Sequence, residues 1–321
     1  MVWDIIFAFV LVLVIVIASG AAVQVFEKLA HEMKVNKLLM ATILVGFSTS
    51  LPELFVGIAS AMRGQPEISL GNIIGSNIAN LSWIVGGAAL MAGSIPIVGD
   101  YLRKDLWLTI GMGLLPLFLL VDGNLTRIDG LALILVYFIY VRDMVMGKNT
   151  LLKHSKLIAR KNIKHHFKTK VDYVMEVVNL LISFGVLITC SSALISLAIK
   201  MSSSFSVSVF WVGLLIISFG TTLPELALSL VASKKREMSL VLGNILGSVV
   251  VNSTLILGII VMISPLKYSD TAQTGIAGLF LVIAMGFFWL FTRSKHKLEK
   301  WEGMVLVGIY VMFVGLQFLL A

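Results

Sequence analysis

The sequence predicts an all-α membrane protein with ten transmembrane helices in two inverted-topology five-helix repeats. Of its 321 residues, 58% are hydrophobic and 13% are charged, whereas an ordinary soluble domain carries about 25% charged residues. The apolar residues form long continuous runs, of the kind that cross a bilayer as helices rather than as β-barrel strands. The ten predicted spans lie near residues 3–26, 38–62, 68–92, 106–121, 128–146, 173–199, 206–232, 239–263, 272–292 and 301–320.

The basic residues predict how these helices are oriented. With the N-terminus outside, all but four of the 25 Lys and Arg residues fall at the cytoplasmic side, and the exceptions are Arg63, Arg127, Lys200 and Lys267. Positive residues accumulate in cytoplasmic loops, so we expect both termini outside and the basic 148–170 loop in the cytoplasm. An anionic-lipid sensor is the alternative interpretation of that loop. The distribution of the net charge of +8 argues against nucleic acid as a partner.

An internal repeat connects residues 46–86 with residues 218–258. The two segments align without a gap, and 15 of 41 positions are identical, including Thr, Pro, Glu, Asn, Ser and Gly residues. A unit of five helices is odd-numbered, so the second copy enters the membrane from the opposite side, as in transporters with midplane substrate sites. We therefore expect repeats at 1–147 and 173–321, joined by a basic linker at 148–172.

Two acidic residues, Glu53 and Glu225, are the only ones of 17 that lie deep within predicted spans. A carboxylate at that depth is costly unless it is compensated. A structural salt bridge is the alternative to a functional role, but no predicted span carries a basic residue at this depth, so bound cations are the expected partners. Pro52 and Pro224 precede the two glutamates and free backbone carbonyls that a cation can also satisfy.

Hydroxyl and amide side chains surround both glutamates in the sequence. One group lies within a turn before them, and another falls at i, i+4 in the following helix: Thr49, Ser50, Thr221 and Thr222, and then Ser76, Asn80, Ser248 and Asn252. Hard oxygen donors suit Ca²⁺ and Na⁺, although hydroxyls also serve as contacts between membrane helices. For Asn72 and Asn244 we expect interhelical hydrogen bonds, with a role as ion ligands as the alternative. For the nearby glycines we expect close helix packing: Gly71, Gly75, Gly243 and Gly247.

The remaining reactive residues do not indicate an enzyme. All five histidines fall in predicted cytoplasmic loops, no nucleophile–base pair is visible, and the single Cys190 lies in an apolar helix. We expect no enzymatic activity, no cofactor and no obligatory protein partner.

Four segments, 48–53 (STSLPE), 71–80 (GNIIGSNIAN), 220–225 (GTTLPE) and 243–252 (GNILGSVVVN), closely resemble the two α-repeats of the calcium/cation antiporter superfamily. They look most like its sodium/calcium exchanger branch, in the prokaryotic type, which implies the inner membrane of a prokaryote. The resemblance implies that Glu53 and Glu225 are shared Ca²⁺ and Na⁺ ligands. It further assigns side-chain oxygens to Ser50, Ser76, Asn80, Thr222, Ser248 and Asn252, and main-chain carbonyls to Thr49 and Thr221. Outer sodium sites would use the main-chain carbonyls of Gly46 and Ser218.

The chain departs from the family pattern at a few positions. Ser48 replaces a usual Gly, Gly46 and Ser218 replace a common Ala, and Asn occupies both middle positions, 80 and 252, where some members have Asp. The resemblance implies Na⁺/Ca²⁺ exchange, which we expect to proceed by alternating access. The first and sixth helices are the expected moving part, because both are long and apolar with few polar residues to anchor them. A Ca²⁺/H⁺ or K⁺-dependent exchanger and, more remotely, a cation channel remain alternatives. Proton-coupled members of the superfamily usually have Gly-Asn where this chain has Thr49-Ser50 and Thr221-Thr222, and this difference favours sodium as the counter-ion.

Overall fold

A computed structural model describes residues 2–32, 46–96, 100–146, 170–234, 238–267, 271–294 and 297–320, and these residues are mostly helical. Most of the expected cytoplasmic linker, 148–169, lies outside the described residues.

The described residues of the first half form six α-helices, some of them segments of one longer helix. A helical turn at 46–49 precedes α2, a π-helix at Asn80–Ile84 joins α3 to α4, and a 3₁₀ turn at Leu120–Asp122 extends α5. The α-helices are α1 (Val2–Glu32), α2 (Leu51–Met62), α3 (Pro66–Ala79), α4 (Val85–Ala92), α5 (Asp100–Leu119) and α6 (Arg127–Met146).

The second half repeats this order after the long helix α7 (Lys170–Phe205). Its π-helices lie at Val212–Ile217 and Val251–Ile256. The other α-helices are α8 (Val209–Trp211), α9 (Ser218–Thr221), α10 (Leu223–Lys234), α11 (Met238–Val250), α12 (Leu257–Ile263), α13 (Thr271–Ser294) and α14 (Lys300–Leu319).

Six described segments are long and apolar enough to cross a membrane by length and composition: Pro66–Ala92, Val174–Phe205, Val209–Lys234, Val241–Ile263, Gln273–Arg293 and Lys300–Leu319. Several of them expose large apolar side chains, for example Val311 at 63% and Phe318 at 62% on α14. An apolar outer surface around fully hydrogen-bonded helices is what a lipid environment selects. The chain is thus a helical membrane protein; the count of ten spans stays a prediction.

Short strand pairs show that the two halves make equivalent contacts. Strand β1 (Ser94–Pro96) pairs antiparallel with β4 (Lys297–Glu299), and β2 (Asn124–Leu125) pairs antiparallel with β3 (Leu266–Lys267). Because β1 and β3, and likewise β2 and β4, occupy corresponding places in the two halves, exchanging the halves converts one pair into the other. The halves therefore interlock rather than sit side by side.

Three of the four glycines expected at close contacts are found there. A Cβ at Gly71 would lie 2.2 Å from the carbonyl oxygen of Phe210, and one at Gly75 would lie 2.1 Å from that of Leu214. At Gly247 a Cβ would lie 3.2 Å from the Cα of Gly46. At Gly243 a Cβ would meet no atom of the described residues within 4 Å, but residues 33–45, which include the counterparts of Phe210 and Leu214, lie outside the described residues, so close packing there stays a prediction.

Helices α1 and α7, the pair expected to move, pack against each other along their lengths. Lys200 Nζ on α7 lies 2.6 Å from Asp4 Oδ1 on α1. Links to the rest of the protein include a hydrogen bond from Ser19 Oγ to the carbonyl oxygen of Ser48 (3.4 Å) and one from Arg63 to Ser192 Oγ (2.8 Å).

Candidate functional site

Breaks in two helices place the glutamates at helix N-termini inside the protein. Ser50 and Thr222 interrupt the helical runs, and α2 and α10 begin directly after them. The prolines fall in the first turns, where a missing N–H costs no helical hydrogen bond. Glu53 and Glu225 consequently occupy first turns, where the partial positive charge of a helix N-terminus favours a carboxylate.

Both carboxylates are completely buried, with 0% exposure. Glu53 Oε1 accepts a hydrogen bond from Ser76 Oγ at 3.5 Å, and Glu225 Oε1 accepts one from Ser248 Oγ at 3.2 Å. In each case the second oxygen, Oε2, has no hydrogen-bond partner in the part of the chain that the structure describes. A buried carboxylate oxygen without a donor is costly, so each glutamate is left able to bind a cation.

Two threonines tie the halves together around the carboxylates. Thr49 donates to Asn244 Oδ1 (3.0 Å) and lies 3.0 Å from Ser248 Oγ. Thr221 donates to Asn72 Oδ1 (3.0 Å) and lies 3.5 Å from Ser76 Oγ.

These bonds are equivalent under exchange of the halves. They also place Asn72 and Asn244 in interhelical hydrogen bonds, as the sequence indicated. The same threonines reach two backbone carbonyls expected as sodium ligands, those of Gly46 (3.5 Å from Thr49 Oγ1) and Ser218 (3.4 Å from Thr221 Oγ1).

The remaining expected ligands have different surroundings. Ser50 Oγ is buried without a partner in the described residues, whereas Thr222 Oγ1 donates to the carbonyl of Ser218 at 2.9 Å. Asn80 and Asn252, both with 0% exposure, lie at the beginnings of π-helices. Such π-helical segments within α-helices often occur at functional sites.

Sequence reasoning missed Asn77, which contacts Asn252 and Ser253. The repeat could not reveal it, because the corresponding residue in the second half is Val249. It also gave no sign of the π-helices, whose local pattern is as apolar as that of an α-helix.

The cluster consists of oxygen atoms that can bind a cation, and two of its side chains, Glu53 and Glu225, are carboxylates. Among the described residues there is no group of three or more His, Cys, Asp or Glu side chains able to hold a metal. Carboxylate, hydroxyl, amide and carbonyl oxygens suit small hard cations. A third buried glutamate, Glu302, differs because its Oε2 accepts from the backbone N–H of Glu299 at 2.7 Å and caps α14.

Buried paired carboxylates in an apolar helical protein with interlocked halves define a membrane transporter of cations. The chain belongs to the family described as "Sodium/calcium exchanger protein", which it matches over residues 3–144 and 175–319. This family places the chain in the calcium/cation antiporter superfamily, in the sodium/calcium exchanger branch, and confirms the resemblance drawn from the repeat motifs.

Similar proteins support this assignment. The chain is 28% identical over 297 residues to the "Putative antiporter CaxA" of Alkalimonas amylolytica, covering 92% of this chain and 91% of the relative. It is 23% identical over 333 residues to the "Sodium/calcium exchanger MaX1" of Methanosarcina acetivorans, covering 94% of both. A solved structure of the sodium-calcium exchanger NCX_Mj, soaked with 10 mM Na⁺ and 10 mM Sr²⁺, superposes with a TM-score of 0.65 at 25% identity and covers 98% of this chain and 99% of that one.

Proposed function

We propose that the chain is an antiporter that exchanges Na⁺ for Ca²⁺ across the membrane by alternating access. The observation that carries this proposal is the pair of completely buried carboxylates, each with one oxygen lacking a donor in the described residues. Both stand among oxygen ligands contributed by the two halves. The names of MaX1 and NCX_Mj favour sodium as the counter-ion.

The proposed ion site uses residues from both repeats. Glu53 and Glu225 are shared by Ca²⁺ and Na⁺, and the other oxygen ligands are side chains or carbonyls at twofold-equivalent positions. They are Thr49, Ser50, Ser76, Asn80, Thr221, Thr222, Ser248, Asn252, Gly46 and Ser218.

Charge balance explains why the two ions exclude one another. Two carboxylates neutralise one Ca²⁺ or two Na⁺, and a third Na⁺ leaves the site one charge positive. Because Na⁺ and Ca²⁺ compete for the same two glutamates, the site cannot hold both ions at full occupancy at the same time. Two bare carboxylates are costly to move through an apolar barrier, so an empty site does not switch between inward and outward states, and transport is coupled.

In this proposal the protein has ten transmembrane helices in two inverted five-helix repeats within a prokaryotic inner membrane. Both termini lie outside, and the 148–170 loop is cytoplasmic. Helices α1 and α7 move as a pair past the rest, and the Asp4–Lys200 ion pair links them. Exposed ion pairs are worth about 0–1 kcal/mol, so packing between these helices supplies most of their cohesion.

One alternative has support from a relative. The "Sodium/potassium/calcium exchanger 3" of Homo sapiens is 23% identical over 128 residues, covering 39% of this chain and 20% of that protein. A K⁺-dependent exchanger would use the same glutamates and require K⁺ with Ca²⁺. A Ca²⁺/H⁺ exchanger on the same scaffold would instead respond to a pH gradient.

Calcium uptake into inside-out vesicles tests the proposal directly. Uptake should depend on an opposing sodium gradient, and Glu53→Gln and Glu225→Gln should each abolish it, because a neutral amide cannot balance the charge of a bound cation. Glu302→Gln is the matched control, since it alters a buried glutamate that caps α14 and lies outside the cluster.

The outcomes separate the competing functions. Sodium-driven uptake that survives in either site variant would remove that glutamate from the shared site. Uptake driven by a pH gradient alone would identify a proton exchanger, and a requirement for K⁺ would identify the potassium-dependent type. Downhill flux of Ca²⁺ without any counter-ion would identify a channel.

A further inference from the structure

Asn77 lies where α3 meets the π-helix Val251–Ile256 of the other half. Its Nδ2 donates to Ser253 Oγ at 2.7 Å, and its Oδ1 accepts from Asn252 Nδ2 at 3.3 Å. All three side chains are buried, with at most 1% exposure. Asn77 thus joins α3 to the π-helix of the other half through one donor and one acceptor.

These bonds determine which end of the Asn252 amide is left for an ion. An asparagine amide has an oxygen at one end and an NH₂ group at the other, and it can present either one. Because Asn77 gives its NH₂ to Ser253, its oxygen faces Asn252 and takes the NH₂ of that residue. The oxygen of Asn252 then has no donor in the described part of the chain, and Asn252 shares a helix face with Ser248, which contacts Glu225.

The equivalent asparagine in the first half has no such support. Asn80 corresponds to Asn252, but the position that corresponds to Asn77 holds Val249, whose side chain cannot form a hydrogen bond. Accordingly, neither Oδ1 nor Nδ2 of Asn80 has a partner among the described residues. The two middle asparagines are therefore equivalent in sequence and different in their surroundings.

We propose that Asn77 is a positioning residue that holds the Asn252 amide with its oxygen toward the bound cation, so that Asn252 contributes more to calcium binding than Asn80 does. This proposal rests on the proposed function and adds a residue that is not itself an ion ligand. Residues that orient metal ligands are commonly worth about 10-fold or more in metal affinity.

Calcium binding to the purified protein in detergent, measured by isothermal titration, tests the idea without requiring transport. Asn77→Val, which copies the residue at the equivalent position, should weaken Ca²⁺ binding by about 10-fold. Asn77→Asp should bind at least as tightly as the wild type, since a carboxylate still accepts from Asn252 and can accept from the Ser253 hydroxyl. In vesicles, Asn77→Val should raise the half-saturating Ca²⁺ concentration while leaving the maximal rate of exchange unchanged.

A double-mutant cycle shows whether Asn77 acts through Asn252. Effects of residues that act through one another do not add, so Asn77→Val should have little further effect on binding in an Asn252→Ala background. Additive losses, unchanged binding in Asn77→Val, or binding in Asn77→Asp weakened about 10-fold would each overturn the positioning role.

Two further results separate this inference from the proposed function. Asn80→Ala should weaken binding less than Asn252→Ala does, and equal or reversed losses would contradict the proposed inequality. A wild-type protein that binds no Ca²⁺ would overturn the proposed function, whereas normal wild-type binding with an unaffected Asn77→Val variant would overturn the role of Asn77 alone.

Discussion

The glycine pair Gly71 and Gly243 offers a direct test of how closely the two halves pack. The two residues occupy equivalent positions in the repeat, but their contacts with the described residues differ. A Cβ at Gly71 would lie 2.2 Å from the carbonyl oxygen of Phe210 and 2.9 Å from the backbone nitrogen of Leu214. A Cβ at Gly243 would meet nothing within 4 Å among the described residues.

These distances set the expected size of the effect of alanine. Ordinary contact begins at 3.4 Å, so Gly71→Ala must move α3 away from α8 by about 1 Å, and overpacking of this kind costs about 1–3 kcal/mol. Alanine in place of glycine in a helix recovers up to about 1 kcal/mol. Gly71→Ala should therefore lower stability, whereas Gly243→Ala should leave it unchanged or raise it by up to about 1 kcal/mol.

The displacement should also reach the ion site. Asn72 follows Gly71 directly, and its side chain accepts the 3.0 Å hydrogen bond from Thr221. A shift of about 1 Å would lengthen that bond beyond the usual range of 2.5–3.0 Å for hydroxyl donors. Gly71→Ala should consequently weaken Ca²⁺ binding as well as stability.

Thermal unfolding of both variants in detergent, monitored by size-exclusion chromatography, measures the stability effect. Isothermal titration measures Ca²⁺ binding. The reasoning predicts a lower midpoint temperature and weaker binding for Gly71→Ala alone. A Gly71→Ala protein as stable as the wild type would refute the close packing of α3 against α8.

Two other measurements address the site and its charge. Thr221→Val removes the hydroxyl that donates to buried Asn72 and should cost about 1–3 kcal/mol of stability. Thr189→Val should have little effect, because the exposed Thr189 hydroxyl bonds carbonyls of its own helix. Equal losses of stability in thermal unfolding would contradict this expectation. If three Na⁺ move per Ca²⁺, the exchange rate in vesicles clamped with potassium and valinomycin should change with membrane potential; a rate indifferent to potential would indicate electroneutral exchange.

The sequence alone was sufficient for the properties that depend on local pattern. Long apolar runs predicted helices whose bounds agree with the structure to within several residues where both are described, as at 128–146 and Arg127–Met146. Pro52 and Pro224 marked the helix breaks, because a proline cannot donate the backbone hydrogen bond that a continuous helix requires. Burial of Glu53 and Glu225 also followed from sequence, since long apolar segments leave a central carboxylate no aqueous surface.

The tertiary structure decided what depends on contacts between the halves. A repeat identifies equivalent residues, but it does not show that Thr49 bonds Asn244 or that Thr221 bonds Asn72, since these partners lie 195 and 149 residues apart. It likewise treats Gly71 and Gly243, or Asn80 and Asn252, as the same. Within the described part of the chain they differ because helices α8 and α3 bring Phe210 against one glycine and Asn77 against one asparagine. Such differences arise from packing between distant segments, which the periodicity of a single segment does not record.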